Sequence, residues 1–195
     1  MTPAEQHQAL RAIIYNSPWF MRALHAVNEL ALESWCIGAG AVRNLVWDSL
    51  HGSPKPSALS DVDVAYFAES APQSNDKELQ AKLVRLCAEF PWEVTNQAHV
   101  HQWYAAYYGY SVEPLKSLTE AVSTWPEFCT SVGVYLAANN EIKIIAPHGL
   151  DDLFGLVVRR NPARVSIETY AQRCTQKNYP QRWPNVQVIR AVLPN

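Results

Sequence analysis

A chain of 195 residues that is 48% hydrophobic and 17% charged, with a formal net charge of −2, has the make-up of an ordinary globular protein and excludes a disordered or collagen-like one. No apolar run is long enough to span a bilayer, and the opening Met-Thr-Pro-Ala-Glu-Gln lacks the basic-then-apolar order of a secretory leader. Cys36, Cys87, Cys129 and Cys174 lie far apart, with neither C-x-x-C spacing nor a disulfide framework, and so read as reduced thiols of a cytoplasmic protein without a membrane partner.

Taken in order, residues 3–15 read as a helix with Leu10, Ile13 and Ile14 on one side. A second helix follows from Ser17-Pro18, with Ser17 as its cap and Phe20, Leu24, Val27 and Leu30 as an apolar stripe. His7 and His25 fall on these two scaffold helices and read as surface residues or as satisfied histidines. Trp35 to Ile37 is a short apolar run that ends in Gly38-Ala39-Gly40. Val42, Leu45 and Val46 then recur at helical spacing. This is a strand, a tight turn and a helix start, where unpaired backbone N–H groups and the helix dipole favour a phosphate. The same pattern is also met as plain turn chemistry.

Asp61-Val62-Asp63-Val64 alternates acid and valine. In a strand that puts both carboxylates on one face and both valines on the other. Paired carboxylates repel unless a cation lies between them, and their oxygen donors suit magnesium, with manganese as a substitute. A lone D-x-D is otherwise a solvated strand edge. The combination with the preceding turn and the early Arg43 favours a site built to handle phosphates.

Residues 68–75 read as a loop, and Asp76 to about Phe90 as a helix capped by Asn75, with Leu79, Leu83, Leu86 and Phe90 inward. Trp92-Glu93-Val94 is a short strand whose acid faces away from its apolar neighbours. Glu93 is either a third carboxylate or an exposed strand-edge residue. Thr95 to Tyr104 reads as the start of a helix, with Thr95 or Asn96 as cap. Asn96 and Gln97 lie next to the acidic strand, where they can hydrogen-bond a base or a sugar. His99 and His101 are two apart and fall on different helix faces, which rules out a shared zinc. Trp103, Tyr104, Tyr107, Tyr108 and Tyr110 form a cluster that either packs in the core, the preferred reading, or stacks on a base.

Ser117 to Pro126 holds a short capped helix. Residues 132–137 and 142–146 form a hairpin around Ala138-Asn139-Asn140-Glu141. Leu150, Leu153, Phe154, Val157 and Val158 suggest one amphipathic helix, and Ser166 caps a last one. Residues 153–195 carry seven Lys or Arg against the single acid Glu168, a net +6 that leaves −8 for the rest. This asymmetry suits an anionic substrate, or equally helix termini and internal ion pairs.

Residues Ala39 to Asn44 and Asp61-Val62-Asp63 resemble the G-G-A-V-R-D and D-x-D motifs of CCA-adding enzymes, members of the nucleotidyltransferase superfamily that also includes DNA polymerase β and the aminoglycoside nucleotidyltransferases. The whole chain is similar to a group of bacterial nucleotidyltransferase-like proteins of unassigned substrate. That group shares A-G-x-V-R-N-x-V-W-D, W-x-V-x-N-Q-A (Trp92 to Ala98), G-L-x-D-L-F (Gly149 to Phe154) and a closing R-W-P (Arg182-Trp183-Pro184). Two departures stand out. Ala39-Gly40 replaces the usual Gly-Gly or Gly-Ser, and the longer spacing from Gly40 to Asp61 implies an inserted loop at His51 to Ser60.

The resemblance implies an α/β (α+β) fold: a small mixed sheet of the polymerase β-like type packed against helices. It further implies a single domain, with N-terminal helices (1–33), a catalytic sheet core (34–146) and a basic helical portion (147–195). It implies two-metal transfer of a nucleoside monophosphate from a nucleoside triphosphate. Asp61, Asp63 and Glu93 would be catalytic and metal-holding, with Gly38, Ala39, Gly40, Arg43, Asn96 and Gln97 around the nucleotide. The acceptor stays open among a small molecule, a protein and an RNA end. The alternative is a nucleotide- or RNA-binding module of this fold without the chemistry. Nothing in the sequence points to a protein partner.

Overall fold

The structure, a computed structural model, describes residues 1–72 and 74–191. Gln73, within the expected loop at 68–75, and the final four residues of the basic portion lie outside the described residues.

Two helices open the chain, α1 (Pro3–Tyr15) and α2 (Pro18–Asn28). A reciprocal pair of bonds starts α1: the Glu5 backbone N–H donates to Thr2 Oγ1 (3.3 Å) and the Thr2 N–H donates to the Glu5 carboxylate (2.6 Å). This capping box satisfies two otherwise unpaired donors. Ser17 occupies the cap position of α2, but its side chain makes no capping bond.

The centre is a five-stranded sheet in the order β3-β2-β1-β4-β5, made of β1 (Trp35–Gly38), β2 (Val62–Tyr66), β3 (Trp92–Asn96), β4 (Gly133–Leu136) and β5 (Ile142–Ile145). Helix α3 (Ala39–Leu50) leaves β1 directly, and α4 (Asn75–Leu86) is the crossover that makes β2 and β3 parallel; the other pairings are antiparallel. The expected mixed sheet packed on helices is what forms.

The two faces of the sheet differ. Trp35, Ile37, Val62, Val64, Trp92 and Val94 belong to the main buried core, which extends through α1, α2 and α3. On the opposite face Cys36 and Ala65 pack with Leu118 and Val122 of α6 (Leu118–Ser123) in a small second cluster. Because side chains alternate along a strand, the apolar burial of Val62 and Val64 commits Asp63 to this second face.

Four local expectations change. Helix α4 stops at Leu86 rather than near Phe90, and Asn75 is its first residue, donating to Tyr66 Oη. Strand β3 runs on to Asn96. A single 3-10 turn (Gln97–His99) then precedes α5 (Val100–Tyr108), so Thr95 is strand rather than helix cap. The expected helix at 150–158 breaks into a short α7 (Asp151–Phe154) and a strand β6 (Val157–Val158), which pairs in parallel with β7 (Gln187–Val188). Between β6 and β7 come α8 (Ile167–Lys177), with Ser166 as a true side-chain cap, and α9 (Tyr179–Arg182). All four cysteines are free thiols. Among the described residues no helix is long and apolar enough to cross a membrane.

Candidate active site

Asp63 and Glu93 are register partners on the parallel strands β2 and β3. Adjacent strands lie about 4.8 Å apart, so the two carboxylates rise side by side from one face. Asp61 immediately precedes β2, and its Oδ2 accepts from the Ser60 hydroxyl (2.9 Å). The crowding shows in the electrostatics. Asp63 is pushed up to about 7, first by burial and then by the negative charges of Asp61 and Glu93, against a smaller opposing pull from Lys177 and Arg173. Among the described residues, however, no three His, Cys, Asp or Glu side chains close around a common point as a metal cage does.

The start of α3 stands beside these acids. A Cβ added to Gly40 would lie 4.0 Å from Asp61 Oδ1 and 3.7 Å from Arg43 Nη2. At Gly38 a Cβ would come within 2.5 Å of the Trp125 ring and 2.9 Å of the Val132 carbonyl, so no larger residue fits without displacing backbone. Ala39 holds φ at +50°, a left-handed conformation usually left to glycine, and its N–H is taken by the Val132 carbonyl (3.2 Å). The donors left at this helix start are the Gly40 and Ala41 N–H groups.

Arg43 is only 3% exposed. Its guanidinium lies 5.1–5.7 Å from the rings of Trp47, Tyr179 and Trp183, and Nη2 donates to Asn44 Oδ1 (2.7 Å). An aromatic box therefore holds this cation beneath the helix start, with its Nη2 tip near Gly40. Asn96 turns away from the acids, and its buried side chain accepts from Ala68 N and Ala98 N and donates to the Ala68 carbonyl. Gln97, by contrast, lies on the acid side. Glu93 and Thr95, two apart along β3, share one cavity wall with Gln97 from the turn that follows.

That cavity, about 190 Å³, is bounded by Ala39, Asp63, Glu93, Gln97, Trp125 and Arg173. A second, of about 380 Å³, meets it along Thr95, Gln97, Trp125, Pro126 and Arg173. One wall of the larger cavity is the aromatic side of α5, the other a polar stripe of α8 formed by Thr169, Gln172, Arg173 and Gln176 at helical spacing. The aromatic cluster is thus not core packing, as its density suggests: Tyr107 is 76% and Trp103 37% exposed, and only Tyr104 is buried.

Sequence reasoning missed Arg173. It reaches the cavities from α8, where the fully buried Glu127 grips it: Arg173 Nε donates to Glu127 Oε1 (2.7 Å) and Nη2 to Oε2 (3.3 Å). No motif marks it. The basic excess of the C-terminal portion was the available signal.

A model of a nucleotidyltransferase family matches residues 25–188. The chain belongs to that family. The chain is also similar to a protein whose NMR structure reveals a CCA-adding enzyme head domain, at 27% identity over 94% of this chain and 96% of that one, with a TM-score of 0.80. A CCA-adding enzyme in complex with CTP (11% identity, TM-score 0.54) and a tRNA-processing enzyme in an apo form (17%, 0.50) share the fold. They are covered over 43% and 45% of their lengths by 94% and 97% of this chain, which therefore spans less than half of either enzyme. No curated protein matches the chain in sequence.

Proposed function

We propose that this nucleotidyltransferase moves a nucleoside monophosphate from a nucleoside triphosphate to an acceptor hydroxyl. The observation that carries the reading is the register pairing of Asp63 with Glu93 next to Gly40 and Asp61. The CTP bound by one structural relative supports a nucleoside triphosphate as donor.

By their chemistry, though not as a preformed cage among the described residues, the acids suit a divalent cation. Their donors are hard oxygens, and a positive charge would relieve the repulsion that raises Asp63. Asp61, Asp63 and Glu93 are the residues that would hold magnesium or manganese. When bound, such ions neutralise phosphate charge and lower the pKa of a hydroxyl poised to attack.

The chain's own groups do the rest. The Gly40 and Ala41 N–H groups and the dipole of α3 receive phosphate oxygens, with the Arg43 charge held just behind them. Arg173 offsets the negative charge that builds where the two cavities meet. Glu93 accepts the proton of the acceptor hydroxyl, whose oxygen bonds to the α-phosphorus as the bond to pyrophosphate breaks. The larger cavity receives a flat ring between the aromatics of α5 and the amides of Gln172 and Gln176. The acceptor is a small molecule, a protein or an RNA end.

One observation favours a binding module without turnover: the Ala39 N–H, at the helix start, is spent on Val132. Calorimetric titration of the four nucleoside triphosphates, with and without magnesium, into the native chain and Asp61→Ala/Asp63→Ala decides whether the acids matter. Magnesium-dependent binding lost in the double variant is expected. Equal or absent binding in both would make the acidic pair structural and end the enzyme reading. Pyrophosphate release then separates transfer from binding alone.

A further inference from the structure

The larger cavity holds more than a flat ring needs. Two arginines stand in its wall, and no Asp or Glu does. Arg173 is neutralised by Glu127. Arg164 has no such partner. Among the described residues its half-buried guanidinium forms no ion pair and donates once, to the Glu113 carbonyl, which leaves most of its five N–H donors to a ligand. Its backbone is held, because the Tyr104 and Tyr110 hydroxyls both donate to the Arg164 carbonyl.

These groups follow one another away from the acids. Arg173 borders the acid cavity and the larger one. Tyr108, whose hydroxyl burial raises first, also feels the charges of Arg173 and Glu93. Its ring lies 4.4 Å from that of Tyr104, and the Arg164 guanidinium lies 5.6 Å from the Tyr104 ring. Arg164 does not border the acid cavity. It borders instead a further cavity, of about 440 Å³, whose wall includes Glu113 and Glu120. The charge of Glu120 reaches Arg164 without pairing with it, and its carboxylate accepts from Lys116 N (2.7 Å). An aromatic platform thus separates the reacting acids from a cation, and acidic residues lie past the cation.

That order decides which molecule the cation serves. A donor triphosphate spends its charge at the start of α3, and its base and sugar are neutral. An anion at Arg164 therefore belongs to the second reactant. The side-chain amides of Gln97, Gln172 and Gln176 make no hydrogen bond among the described residues. Each sets a donor beside an acceptor, which suits the edge of a nucleobase rather than of a hydrocarbon ring. At about 380 Å³ the cavity is near the small end of small-molecule sites, which run from about 300 to 1,000 Å³. A polyanion would run on into Glu113 and Glu120.

We propose that the larger cavity binds the acceptor, a free nucleoside monophosphate, with its base on the α5 aromatics, its one phosphate on Arg164 and a sugar hydroxyl at Glu93. The proposal rests on the transfer reading and narrows its acceptor to one chemical class. The hydroxyl oxygen bonds to the α-phosphorus of the donor, pyrophosphate leaves with the electron pair of the broken bond, and the proton passes to Glu93. The product is a dinucleotide that keeps the acceptor's own phosphate.

Binding is tested without donor or divalent ion, so its result does not depend on turnover. The four nucleoside 5′-monophosphates, their nucleosides and the dinucleotide pApA are titrated in EDTA into the ¹⁵N-labelled full chain. The Trp103 indole and the Gln172 and Gln176 amides report the cavity, and the Gly40 N–H reports the start of α3. At least one monophosphate should move the cavity signals saturably and bind about tenfold or more tightly than its nucleoside, the scale of a charge-assisted hydrogen bond. Arg164→Gln should abolish that advantage and leave nucleoside affinity unchanged, which also shows the cavity intact. The dinucleotide pApA should bind more weakly than adenosine monophosphate. Adding magnesium and a nucleoside triphosphate should then release pyrophosphate and yield a dinucleotide. Equal affinity for nucleoside and monophosphate, an advantage that survives Arg164→Gln, shifts confined to Gly40, or tighter binding of pApA would overturn the proposal. Pyrophosphate release with the cavity signals unmoved would sink this proposal alone. Cavity binding with no release for any acceptor would sink the transfer reading and the acceptor role with it.

Discussion

The two joined cavities are made in different ways. The acid cavity is a product of backbone: Asp63 and Glu93 meet because β2 and β3 are in register and their other faces are buried. The aromatic cavity is a product of side chains on two helices, α5 and α8, whose spacing no ladder of hydrogen bonds sets. The acids are thus placed by the sheet, whereas the larger cavity takes its shape from two helices. Arg173 belongs to both cavities and is the hinge of the comparison.

The largest expected effect lies at the acids. Asp61→Ala or Asp63→Ala should lower pyrophosphate release by about 10³-fold or more, the scale of losing a centre of transition-state charge stabilisation, while circular dichroism stays native. Undiminished turnover would place the chemistry elsewhere. Next comes Arg173→Ala, which strands the Glu127 charge at zero exposure. Breaking a buried pair on one side costs about 3–5 kcal/mol, so denaturant unfolding should show a loss of that order, and adding Glu127→Gln should recover part of it. A loss confined to activity would show that the pair is not holding the α8 wall.

Tyr108→Ala should weaken the ligand of the aromatic cavity by about 1–3 kcal/mol, the value of one stacked ring, and leave unfolding little changed because Tyr108 is partly exposed. The smallest effect is electrostatic. The folded value of Asp63, about 7, lies above the ordinary 3.8, so the folded chain holds this proton more tightly than the unfolded one. The Asp63 contribution to stability therefore falls as pH rises from about 4 to about 7. Without divalent ions, Asp63→Asn should raise the thermal midpoint at pH 8 by a few degrees and leave it nearly unchanged at pH 4. A parallel pH profile in the variant would locate that proton on another group.

Much of the acid cavity was legible because strand alternation is a short-range rule: Asp-Val-Asp-Val and Trp-Glu-Val declare their faces without any tertiary knowledge. The aromatic cavity was not. Trp103 to Tyr110 looks like core in a list of residues, and only the placement of α8 shows that nothing covers it. Arg173 was hidden for the same reason, since its partner Glu127 is 46 positions away. Val157-Val158 fits a helical stripe but forms a strand, because a two-residue run has no period of its own and the pairing with Gln187-Val188 decides it. At Asn96 the capping role was legible and is what forms, since its side chain accepts from Ala98 N; the further bonds to Ala68, 28 positions away, were not.

The parallel pairing of β2 and β3 also says where this gene tolerates insertions and deletions. One residue gained or lost between Pro91 and Glu93 would turn the carboxylate into the core and Trp92 and Val94 toward the cavity, a change that no neighbouring substitution repairs. The same event between Gly52 and Pro56 would only reshape a pinned surface loop, because Asp48 and Arg182 fix its far end at Ser57 and Ala58 and leave the strands untouched. Across related chains, length should drift freely in the second stretch and stay frozen in the first.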